Sequence, residues 1–387
     1  MGKKLDTNII HFGSNPSEHY GSINDPIYKN STLIFNDYDS YLNSKNEKFK
    51  KPYYGRISTY TTRRFEKLVC SLYNSKYAIL TSSGLSAITM TLISLLKKND
   101  EILITENCYE PVFNFAKNEL LKFGVKSIYY PTSIKKIGNL ITKKTKLIYI
   151  ESPGSINYEV TDLYNLVKIA KKNNILTIMD NTWSTFLGCN PLKFGIDIII
   201  ESATKYFSGH SDNFLGLIAL SSKSIADKIK KTSVRVGDYV SSESCFVASK
   251  GLKTLKIRIE KHENNAEKVF KFLKKSLLIN KIIYLPDKNN KYNKTWKKYH
   301  SINNGLITFS IKKINDIRQF INKLELFKIG FSWGGYESLI IPLNNIKPSK
   351  KMSINSEYWF RIHVGLESYI DLINDLKKAL NNYEKKY

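Results

Sequence analysis

The chain has 387 residues, 42% hydrophobic and 24% charged, more than one compact domain usually holds and enough to bury a sizeable core. That balance excludes disordered, collagen-like and disulfide-scaffold classes. The 60 Lys and Arg against 34 Asp and Glu give a formal charge of +26, which invites a nucleic-acid reading. The excess is scattered, though, in pairs such as Lys97-Lys98, Lys143-Lys144 and Lys230-Lys231 beside polar turns or helix flanks. Without a basic stripe, no nucleic-acid partner is expected. Cys70, Cys108, Cys189 and Cys245 form no CxxC pair, so neither a metal site nor a disulfide framework is expected. The opening residues lack an apolar signal core, Asp6 breaks the myristoylation pattern, and no apolar run approaches the ~18 residues of a membrane span. These features predict a cytoplasmic chain with no membrane partner.

Residues 1–60 read as an arm rich in Gly, Asn, Ser, Pro and Tyr, without a long periodic segment, and such an arm is expected to pack on a second subunit. From 61 to 245 helix-like and strand-like segments alternate. Phe65, Leu68, Val69 and Leu72 share one helical face over 62–74, and a second helix is predicted over 85–97. Short apolar runs at 78–80, 101–104, 126–130, 146–150, 175–179 and 196–200 predict strands, with a helix over 163–172 between the strands at 146–150 and 175–179. Strands separated by helices imply βαβ units in a mostly parallel sheet. From 246 to 387 a long basic helix (251–275), a polar surface loop (287–298), strands near 305–311, 327–331 and 361–364, and helices at 314–325 and 369–383 predict a smaller α/β unit.

Ligands bind at the carboxyl ends of strands in an open parallel sheet. Five strand ends carry polar or aromatic groups: Thr81-Ser82-Ser83-Gly84-Leu85, Thr105 to Pro111, Glu151 to Ser155, Asp180 to Trp183 and Glu201 to Tyr206. Lys205, just past a buried apolar strand, must reach solvent or do chemistry, and a desolvated amine becomes nucleophilic. Schiff-base cofactor chemistry needs such a lysine, and a carboxylate to keep a pyridine nitrogen protonated; Asp180 has that chemistry. Backbone N–H groups at Ser83, Gly84 and Leu85, with the hydroxyls of Ser202 and Thr204, suit a phosphate. Tyr109 offers an aromatic face. Each residue alone has a bland alternative (a turn, a helix cap, a packed tyrosine); the weight lies in their combination and order.

The string from Asp180 to Lys205, with Asp-Asn-Thr-Trp and Ala-Thr-Lys-Tyr in that order, resembles the trans-sulfuration family of Cys/Met metabolism, whose members use pyridoxal phosphate. The likeness runs over about residues 18 to 384. Tyr54-Gly55-Arg56 looks like that family's Tyr-x-Arg, Ser208-Gly209-His210-Ser211-Asp212 follows the lysine as expected, and Gly251-Leu252-Lys253-Thr254-Leu255 matches its Gly-Leu-x-Thr-Leu. The resemblance implies a fold type I α/β enzyme: a large domain with a mostly parallel mixed sheet flanked by helices, plus a smaller C-terminal α/β domain. It implies pyridoxal 5'-phosphate on Lys205, with Tyr54 and Arg56 reaching the phosphate of a neighbouring subunit's coenzyme. A homo-oligomer follows, a tetramer built from catalytic dimers. Tyr109 would stack on the ring and move protons. Arg361 is expected to bind the carboxylate of a small amino-acid substrate, with Ser332 and Trp333 beside it.

Four segments, Tyr109 to Pro111, Glu151 to Ile156, Ser332 to Ser338 and Arg361 to Glu367, resemble the β-eliminating members more than the γ-specific ones. Trp333 and Tyr336 stand where γ-members usually carry Leu and Val. The implied reaction is β-elimination of L-cystathionine to L-homocysteine, pyruvate and ammonia, with racemase or cysteine-desulfhydrase side activity. The alternatives are a γ-synthase, a γ-lyase or a methionine γ-lyase of the same family. A basic nucleic-acid-binding chain that has lost catalysis is the rival of another class, supported by charge alone.

Overall fold

The computed structural model describes residues 4–12, 15–49, 51–343 and 357–384, apart from the side chains of 134–136. Seven strands form one sheet: β1 (Tyr77–Thr81), β2 (Glu101–Thr105), β3 (Lys126–Tyr130), β4 (Thr145–Glu151), β5 (Leu176–Asp180), β6 (Ile198–Ser202) and β7 (Gly216–Leu220). Their spatial order is β1-β7-β6-β5-β4-β2-β3. Only β7 runs antiparallel to its neighbours β1 and β6. β2 to β6 pair in parallel, so β1 and the five parallel strands end at one rim. Helices cover both faces, which is why runs such as Ile198-Ile199-Ile200 are apolar without alternation and fully buried.

Local chemistry sets the helix starts. The helix Tyr60–Tyr73 opens with a reciprocal cap: Thr62 N–H donates to Thr59 Oγ1 (3.2 Å) and Thr59 N–H to Thr62 Oγ1 (2.9 Å). The helix Gly84–Leu95 starts on Ser83, whose Oγ accepts from Ser86 N–H at 3.1 Å. That cap directs the free N–H groups of the first turn toward the rim of the sheet.

The smaller unit is a five-stranded sheet of β8 (Ile279–Ile283), β9 (Leu306–Lys312), β10 (Lys328–Ile329), β11 (Leu339–Pro342) and β12 (Glu357–His363), ordered β10-β11-β12-β9-β8. Helices Leu255–Leu273 and Tyr369–Glu384 close its core, where Val269, Leu273, Phe309, Phe360 and Leu376 meet. The other face carries Arg361 and His363 toward the first sheet.

The structure revises several expected elements. β7 was not expected. The long basic helix is two helices, Ser242–Lys253 and Leu255–Leu273, separated at Thr254 (φ −112°, ψ 4°). Arg258 fills the break, donating from Nη2 to the Gly251 carbonyl at 2.7 Å and from Nε to Thr254 Oγ1 at 3.2 Å. The expected boundary at 245/246 falls inside the first of these helices. The polar loop at 287–298 contains most of the helix Asn293–Tyr299, held down by the buried ring of Trp296. The expected helix over 314–325 shrinks to Arg318–Ile321. In the N-terminal segment, Leu5–His11 and Tyr38–Glu47 are helical, and Ile9 is buried in the core of the larger unit. Among the described residues no helix is long and apolar enough to cross a membrane, and no group of three His, Cys, Asp or Glu could hold a metal.

Candidate active site

The five strand ends singled out in the sequence border one cavity of about 480 Å³. β1 delivers Ser83, Gly84 and Leu85; β2 delivers Tyr109 and Glu110; β4 delivers Glu151 and Ser155; β5 delivers Asp180 and Thr182; β6 delivers Ser202, Thr204 and Lys205. The smaller unit closes the cavity with Ser332, Trp333 and Arg361. Tyr54 and Arg56 are not there. They line a separate cleft with Lys29 and Tyr239, and Arg56 Nη1 donates to the Val234 carbonyl at 2.8 Å.

Lys205 is held by two groups of the loop before β11. Its Nζ donates to Ser332 Oγ at 2.6 Å and lies over the Trp333 ring, 5.4 Å from the centroid. Burial, with the nearby Arg361 guanidinium, pushes the amine down to about 8, against a smaller upward pull from Asp180. At neutral pH a useful fraction is therefore unprotonated. The holding loop has an unusual backbone: Ser332 sits at φ +92° and Gly334 at φ +86°. A Cβ on Gly334 would come within 3.0–3.1 Å of the Lys205–Tyr206 backbone and 3.2 Å of Lys205 Cβ, so the loop rests directly on the lysine. His363 fixes it from β12. Its Nε2 accepts from Gly334 N–H at 3.1 Å and its Nδ1 donates to the Glu337 carbonyl at 3.1 Å.

Asp180 accepts from Thr182 N–H at 2.9 Å and from the Tyr149 hydroxyl at 3.4 Å. Its register partner across β4 and β5 is Glu151, so two carboxyls sit side by side at the cavity floor. Burial raises both. Glu151, further raised by the charge of Asp180, reaches about 8 even though it accepts Tyr109 N–H at 2.6 Å. At neutral pH Glu151 therefore largely keeps its proton, while the Thr182 and Tyr149 hydrogen bonds and the Lys205 cation favour the charged form of Asp180 against its burial. Arg361 is buried, and its Nη1 donates to the Ser155 carbonyl at 3.2 Å. Among the described residues that leaves further guanidinium donors for a carboxylate fork. Burial, then Glu151 and Asp180, raise the Tyr109 hydroxyl, so it keeps its proton at neutral pH.

The coenzyme implied by this chemistry fits the residues present. A Cβ on Gly84 would fall 2.5–2.7 Å from Ser202 Cβ and Oγ, so only the bare glycine leaves a cradle between the helix start and the end of β6. The Ser83 and Thr204 hydroxyls already serve the backbone, Thr204 Oγ1 accepting from Leu215 N–H at 3.1 Å. Both hydroxyls accept in these bonds and keep their O–H protons, so they can donate to an anion beside the free N–H groups of the Gly84 turn. Sequence reading missed the roles of Glu151 and His363. Glu151 stands in a quoted motif, and counting the ends of adjacent parallel strands would have paired it with Asp180. His363 has no such local signal, because its partners come from a loop 26 and 29 residues away.

The sequence matches the Cys/Met metabolism PLP-dependent enzyme family over residues 6–381. An L-alanine/L-glutamate racemase of Wolbachia pipientis wMel is 32% identical, the alignment covering 97% of each chain. A cystathionine beta-lyase of Escherichia coli K12 is 29% identical, again with 97% of each chain covered. Among solved structures, a cystathionine gamma-lyase from Lactobacillus plantarum complexed with L-serine superposes with a TM-score of 0.90 at 26% identity, covering 99% of this chain and 100% of that one.

Proposed function

The chain belongs to the Cys/Met metabolism PLP-dependent enzyme family, and from that membership we propose that it is a carbon–sulfur lyase performing β-elimination on L-cystathionine. The observation that carries this reading is the double hold on Lys205, by Ser332 Oγ at 2.6 Å and by the Trp333 ring. β-Elimination breaks one acidic C–H bond, and a base fixed in one place suffices. γ-Elimination must also deprotonate Cβ and needs a base that travels.

Arg361 binds the substrate carboxylate in a two-pronged fork and turns the Cα–H bond toward Lys205. Asp180 would hold the ring nitrogen of the coenzyme, and the N–H groups at Gly84 and Leu85, with Ser202 and Thr204, its phosphate. When bound, pyridoxal phosphate supplies an electron sink for the pair left at Cα. The Lys205 amine takes the Cα proton. As the C–S bond breaks, the departing thiolate receives a proton from Lys205 or from Tyr109, whose raised hydroxyl is a donor at neutral pH. Water then hydrolyses the released enamine to pyruvate and ammonia, with homocysteine as the thiol product. Tyr54 and Arg56 serve a neighbouring subunit's phosphate in this reading, so a dimer is the smallest active unit and a tetramer of two such dimers the full assembly. All four cysteines are free, which suits the reducing cytoplasm in which we place the protein.

A second reading is racemisation. Lys205 removes the Cα proton from one face, inversion needs a donor on the other, for which the protonated Tyr109 hydroxyl is the candidate, and the 32%-identical relative is a racemase. Product analysis separates the readings. The purified enzyme is expected to release pyruvate from L-cystathionine, and Lys205→Ala to release none. Release of 2-oxobutyrate would replace this reading with γ-elimination. Interconversion of alanine enantiomers without pyruvate would replace it with racemisation.

A further inference from the structure

Beyond the residues given roles above, the cavity wall is apolar: Ile88, Pro111, Ile156, Phe214, Phe331 and Ile341 line it. Phe214 and Phe331 are 73% and 84% exposed, so two aromatic rings stand open at its mouth. Among the described residues the wall's cations are Lys205 and Arg361, and both are engaged at the α-carbon and α-carboxylate. Among the described residues the one further charged residue in the lining is Glu110, which follows Tyr109 at the exposed start of the helix Glu110–Phe115.

A substrate anchored by Arg361 at its α-carboxylate must lay its side chain against this wall. An apolar chain gains burial there. A terminal ammonium finds the Glu110 carboxylate. A terminal carboxylate would lose water, find no free cation among the described lining residues, and meet Glu110 as a like charge, a juxtaposition that disfavours it. We propose that this wall selects amino acids whose side chain ends in an apolar group or an ammonium and rejects those ending in a carboxylate, with Glu110 setting the sign. The inference rests on the reading that Lys205 and Arg361 act on α-amino acids, but not on which bond breaks afterwards. L-Cystathionine ends in both an ammonium and a carboxylate, and the ammonium is the end this wall can meet.

The test uses the assembled holoenzyme, so that any group a neighbouring subunit adds is present. Norvaline, ornithine and glutamate have side chains of similar length and no leaving group. Exchange of their α-hydrogen for solvent deuterium, followed by NMR, reports binding and deprotonation whether or not the enzyme is a lyase. Norvaline and ornithine are expected to exchange with kcat/KM about tenfold or more above glutamate. Glu110→Gln is expected to lower the ornithine-to-norvaline ratio, and Glu110→Lys to raise the glutamate-to-norvaline ratio. Glutamate exchanging as fast as norvaline in the wild type, or ratios unmoved by both substitutions, would overturn the proposal while leaving the amino-acid reading intact. No exchange with any probe or with alanine would overturn the amino-acid reading, and this inference with it.

Discussion

Lys205 works because opposing influences on one amine nearly balance. Burial and Arg361 push its proton off, Asp180 pulls it back, and the amine settles near 8, below its ordinary 10.5. The sign of each contribution can be tested in the apoprotein. Only the neutral amine reacts with a small uncharged acylating reagent, so labelling of Lys205 should rise with pH and level off above about 8, while exposed lysines keep rising toward about 10.4. Arg361→Leu removes a cation and should move the Lys205 midpoint up. Asp180→Asn removes an anion and should move it down. Trace acetylation read by mass spectrometry of the Lys205 peptide measures all three, and a wild-type midpoint shared with the exposed lysines would remove the activated amine from the account. Lys205, Asp180 and Arg361 were legible in the sequence because each interrupts or ends an apolar strand where a charge needs a reason. Glu151 was not, since its meaning depends on the register that sets it beside Asp180. The strained Ser332 was quoted as a motif, but its hold on Lys205 requires two units to meet.

At the scale of elements, the parallel strands were legible because burial on both faces writes continuous apolar runs such as Ile198-Ile199-Ile200. β7 was not. Leu217-Ile218-Ala219-Leu220 is an apolar run like the others, but it follows the turn-rich 207–215 with no helix before it, so the helix–strand alternation does not point to it; its antiparallel place depends on pairing with both β1 and β6. The helix break at Thr254 was hidden for a similar reason, since Arg258 repairs the interrupted hydrogen bonding from one turn further on. The helix Gly84–Leu95 is where an element performs chemistry directly, by offering its first turn to an anion. Its closest contact is the absent side chain of Gly84. Gly84→Ala places a methyl 2.5 Å from Ser202 Cβ, which must push the end of β6 away and widen the cradle. Pyridoxal phosphate affinity is expected to fall about tenfold or more, read from coenzyme absorbance on titrating the apoprotein, with helical circular dichroism unchanged. An unaltered Kd would mean that the phosphate is held elsewhere.

At the scale of the whole molecule, one chain supplies every proposed contact except two. Tyr54 and Arg56 lie outside the Lys205 cavity of their own subunit. The segment that carries them leaves large apolar side chains in water, Ile34 at 91% and Tyr38 at 72% exposure, a pattern that usually marks a surface awaiting a partner. If Arg56 completes the phosphate site of a second copy, a defect there and a defect at Lys205 strike different sites of a mixed dimer. Arg56→Ala and Lys205→Ala homodimers should each be nearly inactive. In a hybrid of the two, one site receives both defects and the other receives neither. Random reassortment of equal amounts makes about half the dimers hybrids, so activity should return to about a quarter of the wild-type value in a two-fold assembly with shared sites. The assay is pyruvate release after the two variants are unfolded together and refolded with coenzyme, with separately refolded samples mixed afterwards as the control. Restoration cannot arise if each site is built from a single chain, because every Arg56→Ala site would then be defective whatever its neighbour; a mixture as inactive as its parents would return Arg56 to its own subunit.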